Sequence, residues 1–433
     1  MKRRLKSEIV RAPSLAYRTT TAGTELFSES ASLAEMAERH GTPLYVYSSE
    51  MIRARRAAFA RAFRSVPHTL CYSVKANSTL AILKLVGREG AGFDVVSGGE
   101  LERVLRVQRS ASRSVVFSGV GKTVPEMELA LKSGILLFNI ESQSELRVLA
   151  ATATRLRKQA AIAIRVNPDV SAKTHPYIST GLHQHKFGVP IPEARELYEE
   201  ASRHDSLTIA GVSVHIGSQI TAVVSFSEAL QRVADLVHEL RAHGHDIRYV
   251  DAGGGLGITY QGAQEDFAAQ IADYAAAVIK PLRSLKVHLL LEPGRSIVGA
   301  AGVLLTRVIY RKTNHNKRFV IVDAGMNDLL RPALYGAQHE IVPVVRSPGG
   351  EKELVDVVGP VCETGDFFAR DRELMTVAEG DLLAILDAGA YGAALASNYN
   401  TRGKPAEVLI AGKTARVIRS RESFRDQTKL ESV

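Results

Sequence analysis

Residues 286–295 read KVHLLLEPGR. Lys286 and the turn-forming Pro293-Gly294 bound an apolar run of strand length, which predicts a buried strand, Lys286–Glu292, ending on an acid. It is the last of eight such runs. The others are Thr69–Val74, Gly92–Val96, Ser114–Ser118, Leu136–Ile140, Ala161–Val166, Ile209–His215 and Ile247–Asp251. Amphipathic stretches with helical spacing lie between them: Thr79–Val86, Glu100–Val107, Pro125–Lys132, Ser144–Leu156, Glu193–Ala201, Phe226–Ala242 and Phe267–Leu282. Ser78, Thr123 and Ser225 are placed to cap three of them. Strands alternating with helices imply parallel βαβ units. Eight units within roughly 225 residues match a closed (β/α)8 barrel. An open doubly wound sheet competes, and the run at 286–292 is what brings the count to eight.

Beyond Gly294 the pattern changes. Val303–Tyr310, Phe319–Asp323, Ile341–Val345, Leu354–Val358, Leu382–Leu386 and Val408–Ile410 read as strands separated by turns. The expected organisation is therefore an α/β barrel followed by an all-β domain, a β-sandwich or β-barrel. Residues 1–41 form an N-terminal segment joining the β domain, 42–300 the barrel, and 301–433 the C-terminal β domain.

A length of 433 residues suits two or three domains. With 45% hydrophobic and 23% charged residues, a disordered or fibrous chain is excluded. No apolar run is long enough to span a membrane, and the basic start MKRRLKSEIVRAPS has no apolar stretch behind it to make a secretory signal. Two cysteines, Cys71 and Cys362, support neither a disulfide framework nor a cysteine metal site, so no metal and a cytoplasmic setting are expected. The net charge is +9, of which residues 1–11 carry +4 and residues 416–433 carry +2. The balanced body and the absence of Trp argue against a nucleic-acid partner.

In a barrel of this kind chemistry belongs at the C-terminal ends of the strands. Those ends carry Lys75 after the first strand, Asp94 in the second, Arg165 and Asn167 in the fifth, and His215 and Ser218 after the sixth. Gly253, Gly254 and Gly255 follow the seventh, and Glu292 and Arg295 the eighth. Lys75 reads either as a snorkelling lysine or as an amine able to form an imine. The glycine triplet reads as a tight turn or as a backbone cradle for an anion, with Arg295 beside it. Glu292 closes an apolar strand and needs a cationic or protonated partner, either a pyridinium nitrogen or a rim arginine such as Arg165. His215 is either a satisfied core histidine or a ring lying against an aromatic cofactor. Asp94 alone reads as a turn or cap residue. An amine, an anion cradle and a buried carboxylate on one rim share an economical explanation in pyridoxal 5′-phosphate.

Seven motifs carry a resemblance. CYSVKAN (71–77), HIGSQ (215–219), DAGGGLG (251–257), EPGR (292–295), VDAGMNDLLRPALYG (322–336), GPVCETGD (359–366) and GAYGAALASNYN (389–400) occur in the order of the diaminopimelate decarboxylase family. That family is one of the fold-type III, alanine-racemase-like, pyridoxal-phosphate decarboxylases. The likeness spans about Thr42 to Ile410, and Asn167–Gly188 is also similar; His183 and His185 there stand where family members often have other polar residues. The resemblance implies decarboxylation of meso-2,6-diaminopimelate to L-lysine and CO2, the last step of lysine biosynthesis. It implies that Lys75 holds the cofactor as an imine, that His215 stacks on its ring, and that Ser218 and Gly255 bind its phosphate. Glu292 would face the ring nitrogen; Glu292, Pro293, Gly294 and Arg295 would line the site, with Arg295 also near substrate. Arg331 and Tyr335 would bind substrate, Cys362 would donate the proton, Glu363 would contact the distal amino group, and Tyr391 would reach both cofactor and substrate. Cys362, Glu363 and Tyr391 would come from the second subunit of a homodimer with shared active sites. Read without the family, Cys362 is a small hydrophobe in a loop, Tyr391 a packing aromatic and Arg331 half of a surface ion pair. The rival activities are an ornithine, arginine or lysine decarboxylase, an alanine-racemase-type enzyme, and a non-catalytic pyridoxal-phosphate-binding protein.

Overall fold

The structure is a computed structural model, and it describes residues 7–20, 23–170, 186–260, 266–346 and 351–432. His183 and His185 lie outside the described residues. The chain divides into two compact units. One comprises residues 55–258 and 266–296; the other comprises 1–54, 259–265 and 297–433. No helix among the described residues is long and apolar enough to cross a membrane.

In the first unit the eight expected strands are His68–Ser73, Gly92–Val95, Val115–Phe117, Leu137–Ile140, Ala160–Asn167, Leu207–Val214, Tyr249–Asp251 and His288–Leu291. Each pairs in parallel with the next, and the eighth returns to the first through Leu289↔His68, Leu290↔Thr69 and Leu291↔Leu70. The sheet is thus a closed (β/α)8 barrel, and the open-sheet reading falls. Helices intervene at or within two residues of the expected ends. The longest, Val224–Ala242, buries Phe226, Ala229, Leu230, Val233, Ala234, Leu236, Val237 and Leu240, the single apolar face its spacing predicts.

Helix starts were less legible. Thr123 takes the expected cap position, and its N–H donates to the Glu126 carboxylate at 2.9 Å in a capping box. Ser78 does not cap: the Asn77 side chain accepts the Thr79 N–H at 3.1 Å, and the helix starts one residue later, with Thr79 at the cap position. Ser225 lies inside its helix, which begins at Val224. Ser97 and Ser142 are caps that the sequence reading passed over, each accepting an N–H from the glutamate three residues on.

Alternate residues on a strand share a face, and two layers of the barrel interior bear on its C-terminal end. Cys71, Val116, Leu137, Ala163 and Leu290 belong to one apolar cluster. Two residues farther along the same strands stand Ser73, Ser118, Asn139, Arg165 and Glu292, all buried. Asp94, Ser213 and Asp251 are buried in the same layer on the remaining strands. The barrel is therefore oil below and hydrogen-bonding groups above, toward the C-terminal ends of its strands.

The second unit is β-rich. Its long strand Gly302–Asn314 pairs with Leu44–Ser48, Lys317–Val322 and Leu382–Ile385 within a nine-stranded sheet. A five-stranded sheet holds Ser7–Arg11, Leu15–Thr20, Gly23–Ser28, Ala31–Ser32 and Val345–Arg346. Leu44–Ser48, which the sequence reading placed with the barrel segment, belongs to this unit's sheet. The expected run 341–345 is split at Val344, whose N–H bonds Leu382 in one sheet while its C=O accepts from Leu26 in the other. The strands before residue 49 were not read from the sequence, and beyond residue 301 two more escaped it. Phe367–Met375 is interrupted by the charged Arg370-Asp371-Arg372 and by bulged pairing, and Thr414–Arg419 is a largely exposed edge strand.

Candidate active site

Lys75 sits in a turn, Val74–Ala76, immediately after the first barrel strand. Its Nζ donates to Asp94 Oδ2 at 2.8 Å, and Ser73 Oγ donates to the same oxygen at 2.7 Å. Asp94 is fully buried while the lysine side chain is 36% exposed, so the amine is anchored from below and reachable from above. Asp94 is thus more than a turn residue: it fixes the amine. The loop after the eighth strand packs directly on this turn. The Ser73 N–H donates to the Pro293 C=O, and a Cβ on Gly294 would stand 2.9 Å from Ala76 Cβ and 3.0 Å from Ser73 Cβ. That contact brings Glu292 and Lys75 to one place.

Among the described residues Glu292 has no arginine partner. Arg165, the rim cation considered for it, binds Glu141 Oε1 at 2.8 Å with both groups buried. Glu292 instead accepts a bond from Ser118 Oγ at 3.2 Å. Burial, and then the nearby Asp251 and Asp94 charges, push its pKa well above the usual carboxylate range. A carboxyl so raised binds its proton more tightly folded than unfolded, so folding stability is lost as pH climbs past the ordinary carboxyl range. Glu292→Gln should therefore raise the melting temperature of the cofactor-free protein at pH 8 and flatten its decline between pH 5.5 and 8, as differential scanning fluorimetry can read.

His215 is held by a bond that its Nδ1 accepts from the Gly254 N–H at 3.2 Å, which places the proton of the neutral ring on Nε2. Burial, and then the Arg165 and Lys75 charges, hold its pKa well below the ordinary histidine value, so the ring is neutral. A flat, uncharged ring at this position suits contact with the face of an aromatic cofactor. Arg295 Nη2 donates to Ser218 Oγ at 3.0 Å, joining the loops after the sixth and eighth strands.

The glycine triplet is constrained by backbone. A Cβ on Gly253, Gly254 or Gly255 would lie 2.5, 2.2 or 2.3 Å from the carbonyl oxygen of Val214, Glu292 or Gly217, respectively. Gly253 and Gly255 also have φ of +66° and +98°. Two of the three amides are engaged within the protein: Gly253 N–H with Asp251 Oδ1 at 2.9 Å, and Gly254 N–H with His215. Among the described residues no such bond is made by the Gly255 N–H, so the expected anion cradle narrows to Gly255, with Ser218 and Arg295 on neighbouring loops. Gly254→Ala should lower unfolding free energy by about 3 kcal/mol, measured by urea denaturation, since the colliding Glu292 carbonyl is backbone and not a movable side-chain tip.

An anchored amine, a carboxyl that can meet a ring nitrogen, a neutral ring and an anion-binding corner with a guanidinium fit pyridoxal phosphate. The remaining expected site residues belong to the β-rich unit. Arg331 and Tyr335 bound a short helix, Arg331–Tyr335. Arg331 is buried and donates from Nη1 to His339 Nε2 at 2.8 Å, while His339 Nδ1 bonds the Leu386 C=O at 2.7 Å; it is not a surface ion pair. Cys362 and Glu363 lie on an exposed loop, with the Cys362 N–H held by Asn400 Oδ1 at 3.0 Å. Tyr391 is half-buried with φ of +56°.

Comparison with known proteins agrees with this chemistry. The family model described as "Pyridoxal-dependent decarboxylase, pyridoxal binding domain" matches residues 49–299. A diaminopimelate decarboxylase of Pseudomonas aeruginosa is 50% identical over 409 residues, 94% of this chain and 97% of that one. The chain belongs to the diaminopimelate decarboxylase family. The diaminopimelate decarboxylase of Aquifex aeolicus is 48% identical over 95% of this chain and 96% of its own. Among solved structures, the Helicobacter pylori diaminopimelate decarboxylase complexed with L-lysine superposes with a TM-score of 0.88 at 43% identity, covering 92% of this chain and 98% of that one. The M. jannaschii diaminopimelate decarboxylase in co-complex with L-lysine gives 0.90 at 39% identity, covering 97% and 98%.

Sequence reading missed a set of site residues in this diaminopimelate decarboxylase family member. Ser73, Ser118, Asn139 and Asp251 hold Asp94 and Glu292 in place. Each stands two residues beyond an inward-facing position of its strand, and that offset is the signal that could have found them.

Proposed function

We infer that this chain decarboxylates meso-2,6-diaminopimelate to L-lysine and CO2 with pyridoxal 5′-phosphate, acting as a cytoplasmic homodimer. The observation that supports the reading is the packing of the Glu292–Gly294 loop on the turn bearing Lys75, which sets a partly exposed lysine and a buried acid at the ends of adjacent barrel strands. Lys75 Nζ would hold the cofactor covalently. Glu292 would face its ring nitrogen and His215 its ring face; Gly255, Ser218 and Arg295 would hold its phosphate. When bound, pyridoxal phosphate supplies the sink for the electron pair that the departing carboxylate leaves behind.

The chain's own residues do the rest. Asp94 Oδ2 steadies the Lys75 amine and balances its charge inside the barrel. Glu292 keeps a proton at the ring nitrogen. The buried Arg331, braced by His339, and Arg295 would bind the substrate carboxylate that is retained, with Tyr335 alongside. The partner subunit's Cys362 would deliver the proton to the carbon that lost CO2, and the partner subunit's Glu363 would take the distal ammonium, with the partner subunit's Tyr391 alongside. The exposed position of the Cys362–Glu363 loop in the single chain supports that assignment.

A site built for a distal carboxylate leaves its arginines unmet when that group is missing, which costs far more than a lost methylene. CO2 release should therefore be at least about 100-fold faster in kcat/KM from meso-diaminopimelate than from lysine, ornithine or arginine. Equal release from any of these amines, or none from diaminopimelate, would overturn the reading.

A further inference from the structure

Asp251 ends the seventh barrel strand and Glu292 follows the eighth. Asp251 aligns with Leu290, so Glu292, two residues on, shares its inward face. Gly253 ties the two acids together: its N–H donates to Asp251 Oδ1 at 2.9 Å and its C=O accepts the Glu292 N–H at 2.8 Å. The two carboxyls are within hydrogen-bonding reach of one another, and both are buried.

The nearby cations are committed elsewhere. Lys75 pairs with Asp94, and Arg165 with Glu141. The remaining titratable neighbours are Asp94, whose charge raises both acids, His215, held neutral, and the buried Cys71 thiol and Tyr274 hydroxyl, each pushed up by burial and by these same carboxylates. Two buried carboxylates in contact, without an intervening cation, cannot both ionise.

Geometry decides which one keeps the proton. Asp251 accepts from Asn139 Nδ2 at 2.6 Å, from the Gly253 N–H and from Ser213 Oγ at 3.4 Å. Glu292 accepts a side-chain bond from Ser118 Oγ, and Asn139 Nδ2 donates to that same hydroxyl at 3.0 Å. Donors converge on Asp251 and stabilise its charged form, leaving Glu292 as the acid.

We propose that Asp251 and Glu292 form a pair sharing a single proton, carried on Glu292 and accepted by Asp251, with Asp251 the positioning residue that keeps Glu292 protonated in the cofactor-free protein. This deepens, and rests on, the assignment of Glu292 to the cofactor's ring nitrogen: the site is charged with a proton at that place before the ring arrives. Asn139 and Ser118 close the circuit and fix its direction.

Infrared spectroscopy of the full-length, cofactor-free protein tests it. At pH 7 the difference between wild type and Glu292→Gln should contain the carbonyl band of a protonated carboxyl, shifted by carbon-13 labelling of glutamate. The same difference taken in an Asp251→Asn background should lose that band. Its absence in wild type, or its survival without Asp251, overturns the proposal. Should Asp251→Asn fail to fold, the wild-type titration suffices: the band must persist above pH 7, and its loss in the ordinary carboxyl range overturns the shared proton. The assignment underneath is read separately. A Glu292→Gln holoenzyme with unchanged visible spectrum and cofactor affinity would refute the placement opposite the ring, whatever the infrared result.

Discussion

Lys75→Ala is expected to lower kcat by at least about 10³-fold and to remove the visible absorbance of bound cofactor, leaving only weakly held pyridoxal phosphate. Among the described residues, Lys122 near a barrel strand end cannot substitute by a side-chain swing, because it is sequestered. Its Nζ is buried against Glu145 at 2.6 Å and against the backbone oxygens of Gly119 and Asn139. The loss has a structural cost as well. Asp94 would keep only the Ser73 hydroxyl on Oδ2, a buried carboxylate stripped of its cation. The variant should therefore melt lower than wild type even without cofactor, and steady-state CO2 release alongside absorbance spectra checks both effects.

The second large effect concerns subunits. Lys75→Ala and Cys362→Ala should each be nearly inactive alone, yet a mixture refolded or co-expressed in equal amounts should recover about a quarter of wild-type activity. Random pairing makes half the dimers mixed, and one of the two sites in each mixed dimer has both an intact Lys75 and the partner subunit's intact Cys362. If each chain completed its own site, mixing would restore nothing. Activity of the mixture against the separately assayed variants is the measurement.

Much of this was open to view in the chain itself, and the reason is physical. Each barrel strand is a short apolar run, such as VHLLLE, because both of its faces are covered, and the intervening helices must repeat at 3.6 residues to bury one stripe. Lys75 and Glu292 stood out because a charged group at the end of an apolar strand needs a reason. Ser118, Asn139 and Asp251 did not, since small polar residues at strand ends read equally well as caps and turns. Their role exists only across strands: Asn139 meets Asp251 from 112 residues away. Arg165 could be offered as an alternative partner for Glu292 for the same reason, its actual partner Glu141 lying on a neighbouring loop rather than at the eighth strand. The glycine triplet was legible as glycine-requiring, but its amides point partly into the protein. In the β-rich unit, edge strands such as Thr414–Arg419 carry no alternating apolar face and leave little pattern to read.

We propose that the amine after the first barrel strand carries the cofactor. Borohydride reduction of the holoenzyme followed by peptide mass spectrometry tests it most directly. The account predicts a pyridoxyl-phosphate mass on the peptide containing Lys75 and none on other lysines; the label on a different lysine, or no covalent label at all, would contradict it.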